Sequence, residues 1–218
     1  MSEAAPQTWA EIRDGCVVRQ QFDFSCGLAS LATMLQFEFG MDTSERELLE
    51  ELLALASPST VKTGQEQAVL ARATDRCGAS VSFAGDAREE LLQNGASLLQ
   101  LWCLAQMHGK QAFVRQADLS FLRQNLDRPI IVHLKLGENL KHFAVLRKID
   151  GRWVHLADPS RGCKVYLLSE FQEEWQRPEV LLLHEPTDYV PLSGRLGGTA
   201  AAAEIERRRQ EAVRILHQ

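Results

Sequence analysis

Val17-Val18-Arg19-Gln20-Gln21-Phe22-Asp23-Phe24-Ser25-Cys26-Gly27-Leu28-Ala29-Ser30-Leu31-Ala32-Thr33-Met34-Leu35 is the run around which the other elements of the chain are arranged. It opens as an apolar, β-leaning run and turns at Asp23 to Ser25. It continues as a helix in which Leu28, Leu31, Ala32 and Leu35 recur at helical spacing. Cys26 then falls in the first turn of a core-facing helix, where free backbone N–H groups and the helix dipole favour negative charge. The thiolate is the nucleophilic form of the residue. Gln20, six positions upstream, can bring its side-chain amide beside the thiol and donate to an oxyanion. A buried structural cysteine is the plainer alternative and the commoner fate of a lone Cys in an apolar helix. This stretch alone does not separate the two.

Past this helix Gly40 punctuates, and Ser44-Glu45-Arg46-Glu47 reads as a capping box opening a helix with Leu48, Leu49, Leu52, Leu53 and Leu55. Ser57-Pro58-Ser59 stops it. Thr63-Gly64-Gln65-Glu66 is a second box, ahead of a helix through Val69, Leu70 and Ala73 that ends near Gly78. Val81-Ser82-Phe83 reads as a short strand, and Asp86 as the cap of a brief helix running to Asn94-Gly95. Ser97-Leu98-Leu99-Gln100 repeats the capping pattern. Its helix carries Leu98, Leu101, Trp102 and Ala105 and stops at Gly109. A strand at 111–115 and an Asp118-capped helix follow. The order helix, glycine, strand, Asp-capped helix thus occurs twice, around 65–95 and 98–126, too briefly for a solenoid.

From Pro129 the pattern turns to β. Ile130-Ile131-Val132-His133-Leu134 and His142-Phe143-Ala144-Val145-Leu146-Arg147 are apolar strands, and Asp150-Gly151 joins the second to Trp153-Val154-His155-Leu156-Ala157 in a hairpin. Asp158-Pro159-Ser160-Arg161-Gly162 makes the next turn and Lys164 to Leu168 the next strand. Ser169-Glu170-Phe171-Gln172 caps a helix through Trp175, and Val180 to Leu183 is a last strand. The plan is α+β, with helices first and a largely antiparallel sheet after them. Pro186 to Gly198 reads as a linker. The final helix carries a thin apolar stripe of Ile205, Val213 and Leu216, with Arg207-Arg208-Arg209 as its basic run.

The length of 218 residues suits one domain with an appendage, and 45% apolar with 24% charged residues is ordinary for a soluble globular chain. A net charge of −5 argues against a nucleic-acid partner, which asks for a basic stripe. No run approaches the length of a membrane span. The N-terminus has no basic segment followed by an apolar one, so no secretory signal is read there. Cys16, Cys26, Cys77, Cys103 and Cys163 are scattered and odd in number, with no Cys-x-x-Cys and no His-x-x-x-His spacing. Neither a structural zinc site nor a disulfide framework is expected, no cofactor is called for, and the chain reads as cytoplasmic with reduced thiols.

A thiol nucleophile needs a base, and the base an orienting group. His133 and His155 lie inside strands, His108 ends a helix, and His184 and His217 are near termini. His142 opens a strand after the polar run Gly137-Glu138-Asn139-Leu140-Lys141, so its ring can stand at the sheet rim. Asp158 follows sixteen residues later, beyond the Asp150-Gly151 turn. A regular hairpin would bring the two side by side, and the aspartate could then hold the imidazole towards Cys26. Asp-Pro is also a common turn former in its own right.

Gln20 to Gly27, Ile131-Val132-His133-Leu134, His142-Phe143-Ala144-Val145-Leu146 and Leu156-Ala157-Asp158-Pro159-Ser160-Arg161-Gly162, in that order, resemble the C39 peptidases. These are papain-like cysteine peptidases best known for removing double-glycine leader peptides from bacteriocins. The resemblance spans roughly residues 15–183. It implies a papain-like fold, with Cys26 as nucleophile, His142 as base, Asp158 as orienting acid and Gln20 as oxyanion donor, Gln21 being the adjacent alternative. It implies a peptide or protein substrate and, for many members, an ABC exporter as partner in secretion. The domain would run over 1–186, with 187–218 as linker and tail. Three departures are visible: residues 56–95 read as an insertion, no membrane or ATPase segment follows, and Ser25 stands where many members carry aspartate. The same site would also suit an amidase or acyl transferase. A domain that only binds secretion substrates is a further alternative, which an intact Cys26, His142 and Asp158 argue against.

Overall fold

The computed structural model describes residues 8–56, 64–77, 87–125, 128–136, 140–175 and 177–186. The stop at 57–59, the cap at Thr63, the strand at 81–83, the cap at Asp86 and the linker and tail beyond 186 lie outside the described residues. The chain runs through α1 (Trp9–Asp14), α2 (Cys26–Phe39), α3 (Glu45–Ala56), α4 (Gly64–Cys77), α5 (Ala87–Asn94) and α6 (Leu98–Met107). It then passes through β1 (Gln111–Gln116), α7 (Leu119–Gln124), β2 (Ile130–Leu136), β3 (Leu140–Asp150), β4 (Trp153–Asp158), β5 (Gly162–Leu167), α8 (Leu168–Glu174) and β6 (Glu179–His184).

The caps that start these helices are made by the residues the sequence offers. Ser97 Oγ accepts from Gln100 N while Ser97 N donates to Gln100 Oε1, and Ser44 and Glu47 exchange the same pair of bonds. Asp118 caps α7 through Phe121 N at 2.7 Å. At α8 the box sits earlier than expected, with Leu167 N donating to Glu170.

All six strands pair antiparallel in the order β1-β6-β2-β3-β4-β5. The last strand therefore returns between β1 and β2, and β1 reaches the sheet only through it. Alternation along the strands divides the core. Ile131, Val145, Ala157 and Leu181 face α2, α3, α4 and α6, whereas Ile130, Val132, Ala144, Leu146 and Leu182 meet Leu122 of α7 and Phe171 of α8. The α+β expectation, helices on an antiparallel sheet, is what the structure shows, with the added feature that short helices cover the second face.

α2 is the centre of the first layer. All ten residues from Cys26 to Leu35 are buried, so the helix presents no polar face over that length and packs on every side, not along one stripe. Each fully buried leucine there contributes on the order of 1.5–3 kcal/mol of transfer free energy.

Two expectations need correction, and one helix, α1, opened by a capping box between Thr8 and Glu11, lies where none was read. The β-leaning run at 17–22 is not a strand, because its N–H groups are taken one by one by other partners. Val18 N donates to Thr33 Oγ1, Gln20 N to Pro159 O and Gln21 N to the Glu45 carboxylate. Four cysteines are paired, Cys16 with Cys163 and Cys77 with Cys103, with Cα separations of 5.9 and 5.6 Å. These residues are 147 and 26 positions apart in the chain, so local spacing gave no sign of either bridge, and the fold alone brings them within reach. No described helix is long and apolar enough to cross a membrane.

Candidate active site

Cys26 is the first residue of α2 and, among the described residues, the free cysteine. Ser25 stands at the N-cap but does not cap the helix. Its hydroxyl turns back instead, donating to Phe22 O at 2.7 Å and accepting from Phe22 N at 3.2 Å. A serine at that position would ordinarily satisfy one of the helix's free N–H groups. Here those groups stay uncapped by a side chain, next to the sulfur, where they favour a developing negative charge. Phe143 N also donates towards Cys26 Sγ at 3.5 Å.

His142 is buried, with 4% of its surface exposed, in β3 instead of standing open at the rim. Its Nε2 lies 2.8 Å from Asp158 Oδ1, which leaves Nδ1 for the sulfur. Asp158 is fully buried, and the same Oδ1 accepts from Ser160 N, Ser160 Oγ and Arg161 N at 2.8, 2.8 and 3.0 Å. The residue is thus both the turn former and the partner of the imidazole. Burial by itself would push the His142 pKa down, but the hydrogen bond to Asp158, followed by that to Cys26, raises it to about 9. Burial would raise Asp158, and the His142 bond outweighs it and holds the carboxyl at about 2.

The hairpin that carries the pair is not regular. Near its turn the register sets Asp150 opposite Trp153 and Lys148 opposite His155. Continued unchanged, that register would put Asp158 opposite Val145 and on the other face of the sheet from His142. A bulge between Leu146 and Lys148 shifts the pairing, so that Val145 meets Ala157 and Asp158 comes across from Ala144. It then shares the face of His142 as a diagonal neighbour, close enough for an imidazole to reach.

Gln20 and Gln21 are held differently. Gln20 Nε2 donates to Phe22 O at 3.0 Å, and its Oε1 is buried without a partner among the described residues. Its backbone N–H binds Pro159 O, the residue after Asp158. Gln21 has an exposed side chain, while its backbone N–H rests on both oxygens of Glu45 at 3.1 and 3.0 Å. Glu45 is 1% exposed. Sequence reading saw it only as part of a helix start and missed its function as the anchor of the segment before Cys26. No local signal marks it, because only the packing of the fold buries the carboxylate.

Arg19 Nη2 donates to Ser160 O at 2.6 Å, and the Cys16–Cys163 bridge lies beside it. Segment 16–20 is in this way fastened to the turn that carries Asp158. Gly162 permits the closeness: it sits at φ +92, and a Cβ there would come within 2.7 Å of both the side chain and the carbonyl of Arg13.

A cleft of about 500 Å³ ends at Cys26. One wall is the Leu91 and Asn94–Gln100 stretch, and the other carries His133, Lys141, Phe143, Arg177 and Glu179. Gly95 shapes the first wall, since at φ +73 a Cβ would lie 2.5 Å from Phe24 O. His133, read from sequence as a sheet residue, is in β2 but lines this cleft. Among the other histidines, His108 binds Glu51 at 2.8 Å and His184 packs edge-on against Phe113, away from the sulfur's surroundings. No group of metal-ligating side chains occurs among the described residues.

A thiol backed by an imidazole, itself backed by a carboxylate, can attack a carbonyl carbon and pass a proton to the leaving group. Comparison with known proteins gives the same class. The Peptidase C39 family profile matches residues 87–188. The probable functional amyloid protease FapD of Pseudomonas aeruginosa is 30% identical over 169 residues, covering 78% of this chain and 61% of that protein. FapD of Pseudomonas fluorescens is 24% identical over 82% of this chain and 65% of its own length. The chain thus spans just over three-fifths of these relatives. The crystal structure of the peptidase domain of Streptococcus ComA, a bi-functional ABC transporter, superposes with a TM-score of 0.54 at 20% identity, covering 78% of this chain and 97% of that one. Residues 87–188 thus resemble the Peptidase C39 family, and the fold is that of its peptidase domains.

Proposed function

We propose that this chain is a cysteine endopeptidase in which Cys26 is the nucleophile, His142 the general base and acid, Asp158 the orienting carboxylate and Gln20 a donor to the oxyanion. The observation that carries the reading is the free thiol at the start of α2 beside an imidazole that it helps to hold protonated, with Nε2 of that imidazole 2.8 Å from a buried carboxylate. The sulfur attacks the scissile carbonyl, and the oxyanion meets the uncapped N–H groups of α2. Imidazolium gives its proton to the departing amine, and water attacks the thioester with His142 as base. For Gln20 to serve, its second amide hydrogen must point to the oxyanion while the first stays on Phe22 O.

The substrate in this reading is a peptide with a double-glycine motif before the cut, carried towards a secretion partner such as an ABC exporter. The motif resemblance supports it, as does the likeness to the peptidase domain of ComA, a bi-functional ABC transporter. The FapD relatives are named for functional amyloid, which extends the reading to a protein handled by a secretion machinery. The domain in this reading ends near 186, residues 56–95 are an insertion, and 187–218 are an appendage. We place the protein in the cytoplasm, where thiols are kept reduced. Alkylation at the moment of cell lysis tests this placement: five labelled thiols would support it, whereas labelling of Cys26 alone, with the Cys16–Cys163 and Cys77–Cys103 bridges intact, would place the chain in an oxidising compartment.

The test is cleavage of a leader-like peptide with Gly-Gly before the cut, and of its two single valine variants, by wild-type and Cys26→Ala protein. The reading expects turnover only with Cys26 present and at least about tenfold lower kcat/KM for each valine peptide. Equal rates on all three peptides would remove the glycine specificity, and unchanged turnover by Cys26→Ala would remove the nucleophile.

A further inference from the structure

Two polar atoms in the cleft have no part in the chemistry at Cys26. His133 lies directly across from Phe143 in the β2–β3 ladder, with its ring stacked on that of Phe143 at a centroid distance of 4.8 Å. His133 Nε2 is shut off from solvent and has no hydrogen-bond partner among the described residues. Glu179, the first residue of β6, has its Oε2 in the same condition. The β2–β6 register pairs Ile131 with Leu181. Carried two residues further it would set His133 against Glu179, but the ladder stops short of them. Both side chains line the cleft that ends at the sulfur. Buried polar atoms are nearly always paired in a folded protein, so two unpaired ones on residues that line one cleft mark a missing partner.

The surroundings say what that partner is. Arg177 and Lys141 stand on the same wall and oppose a cationic ligand, while the Glu179 carboxylate opposes an anionic one. Neutral N–H donors suit both. Burial, then Arg177, Lys141 and His142, hold the His133 pKa at about 4, so the imidazole is uncharged and its Nε2 is free to accept in the Nδ1–H tautomer. Phe143, on which the ring is stacked, is also the residue whose N–H points at Cys26 Sγ. A chain bound at His133 is therefore in line with the nucleophile.

Building on the peptidase reading, we propose that His133 and Glu179 turn their covered Nε2 and Oε2 into the cleft as a peptide enters, forming a subsite that accepts its main-chain N–H groups and fixes its register against Cys26. Both are specificity and positioning residues, distinct from the groups that move protons. His133→Phe keeps the stacking and removes the acceptor, and Glu179→Gln keeps the shape and weakens it.

The test uses full-length Cys26→Ala protein, which needs no turnover, and the same Gly-Gly peptide in a fluorescence-anisotropy titration. Each variant should raise Kd about tenfold. In the Cys26 protein, KM should rise by a similar factor while kcat stays within about threefold and the iodoacetamide reactivity of Cys26 is unchanged. A set of peptides carrying one N-methyl amide each should contain a position that costs the parent about tenfold and costs the double variant nothing more. Unaltered Kd in both variants overturns the subsite, as does an N-methyl penalty that persists undiminished in the double variant. Failure of the Cys26→Ala parent to bind the peptide overturns it too. Normal binding behaviour with no cleavage by the Cys26 protein would instead keep the subsite and overturn the peptidase reading.

Discussion

The carboxylate of Asp158 lies 2.8 Å from Nε2 of His142, and the two are diagonal cross-strand neighbours whose shared face depends on the bulge between Leu146 and Lys148. Arg147 is the residue set out of register. Its guanidinium binds Cys16 O at 3.1 Å and Glu38 at 2.5 Å, so the bulge is also tied to the segment leading to Cys26. Deleting Arg147 should restore a regular ladder, turn Asp158 to the opposite face and abolish peptide cleavage. Arg147→Ala keeps the residue count and should lose only about 0.5–1.5 kcal/mol of stability per hydrogen bond removed, with cleavage reduced severalfold at most. Cleavage assays and urea melts on both variants measure this.

Asp158→Asn keeps an acceptor for Ser160 N and Arg161 N but removes the charge that holds the imidazolium. The expected result is a fold close to the parent by circular dichroism and a kcat/KM lower by about two to four orders of magnitude. A loss smaller than tenfold would mean that His142 is oriented by something else.

The pH dependence follows from the same pair. His142 is raised to about 9 in the folded chain, so its contribution to stability is complete below its ordinary value near 6.5 and is lost as pH rises through about 9. Asp158 is lowered to about 2, so its contribution is complete above the ordinary carboxylate range and is lost as pH falls through about 2, a change on the order of 2–3 kcal/mol. In the proposed reaction, cleavage should fall on the alkaline side near pH 9, where the imidazolium proposed to protonate the leaving amine disappears. Rate profiles of wild type and Asp158→Asn check this, with the alkaline limb expected at lower pH in the variant.

Glu45 offers a prediction that does not involve the reacting groups. Its carboxylate, 1% exposed, is the acceptor for Gln21 N. Glu45→Leu should leave that N–H stranded, at a cost of about 1–3 kcal/mol, and loosen the segment that carries Gln20. Glu45→Gln retains an acceptor and should lose less on both counts. Thermal melts and kcat/KM of the two variants separate the anchor from a simple packing role.

The Cys16–Cys163 bridge closes a loop across 147 positions. In oxidised protein, Cys163→Ser should lower stability by about 2–5 kcal/mol, since the unfolded chain regains freedom. In fully reduced protein the same substitution should be close to neutral. Denaturation with and without dithiothreitol gives the comparison.

Much of this molecule was legible in order along the chain. Capping boxes at Ser44 and Ser97, the Asp118 cap and the Asp150-Gly151 turn are local agreements between a few side chains and nearby N–H groups, and local chemistry needs no fold to be read. The motif around Cys26 and the presence of a strand through His142 were likewise readable, because helix starts and strand periods carry their own signatures, though that strand opens at Leu140. Register was not, since a single bulge reverses the face of every residue beyond it, and nothing near Arg147 announces one. The two disulfides, the anchoring of Gln21 by buried Glu45 and the gathering of His133 and Glu179 onto one cleft were also invisible. Each joins residues far apart in sequence, and only the packing of α2 against the sheet, with β6 returning between β1 and β2, decides which distant side chains share a space.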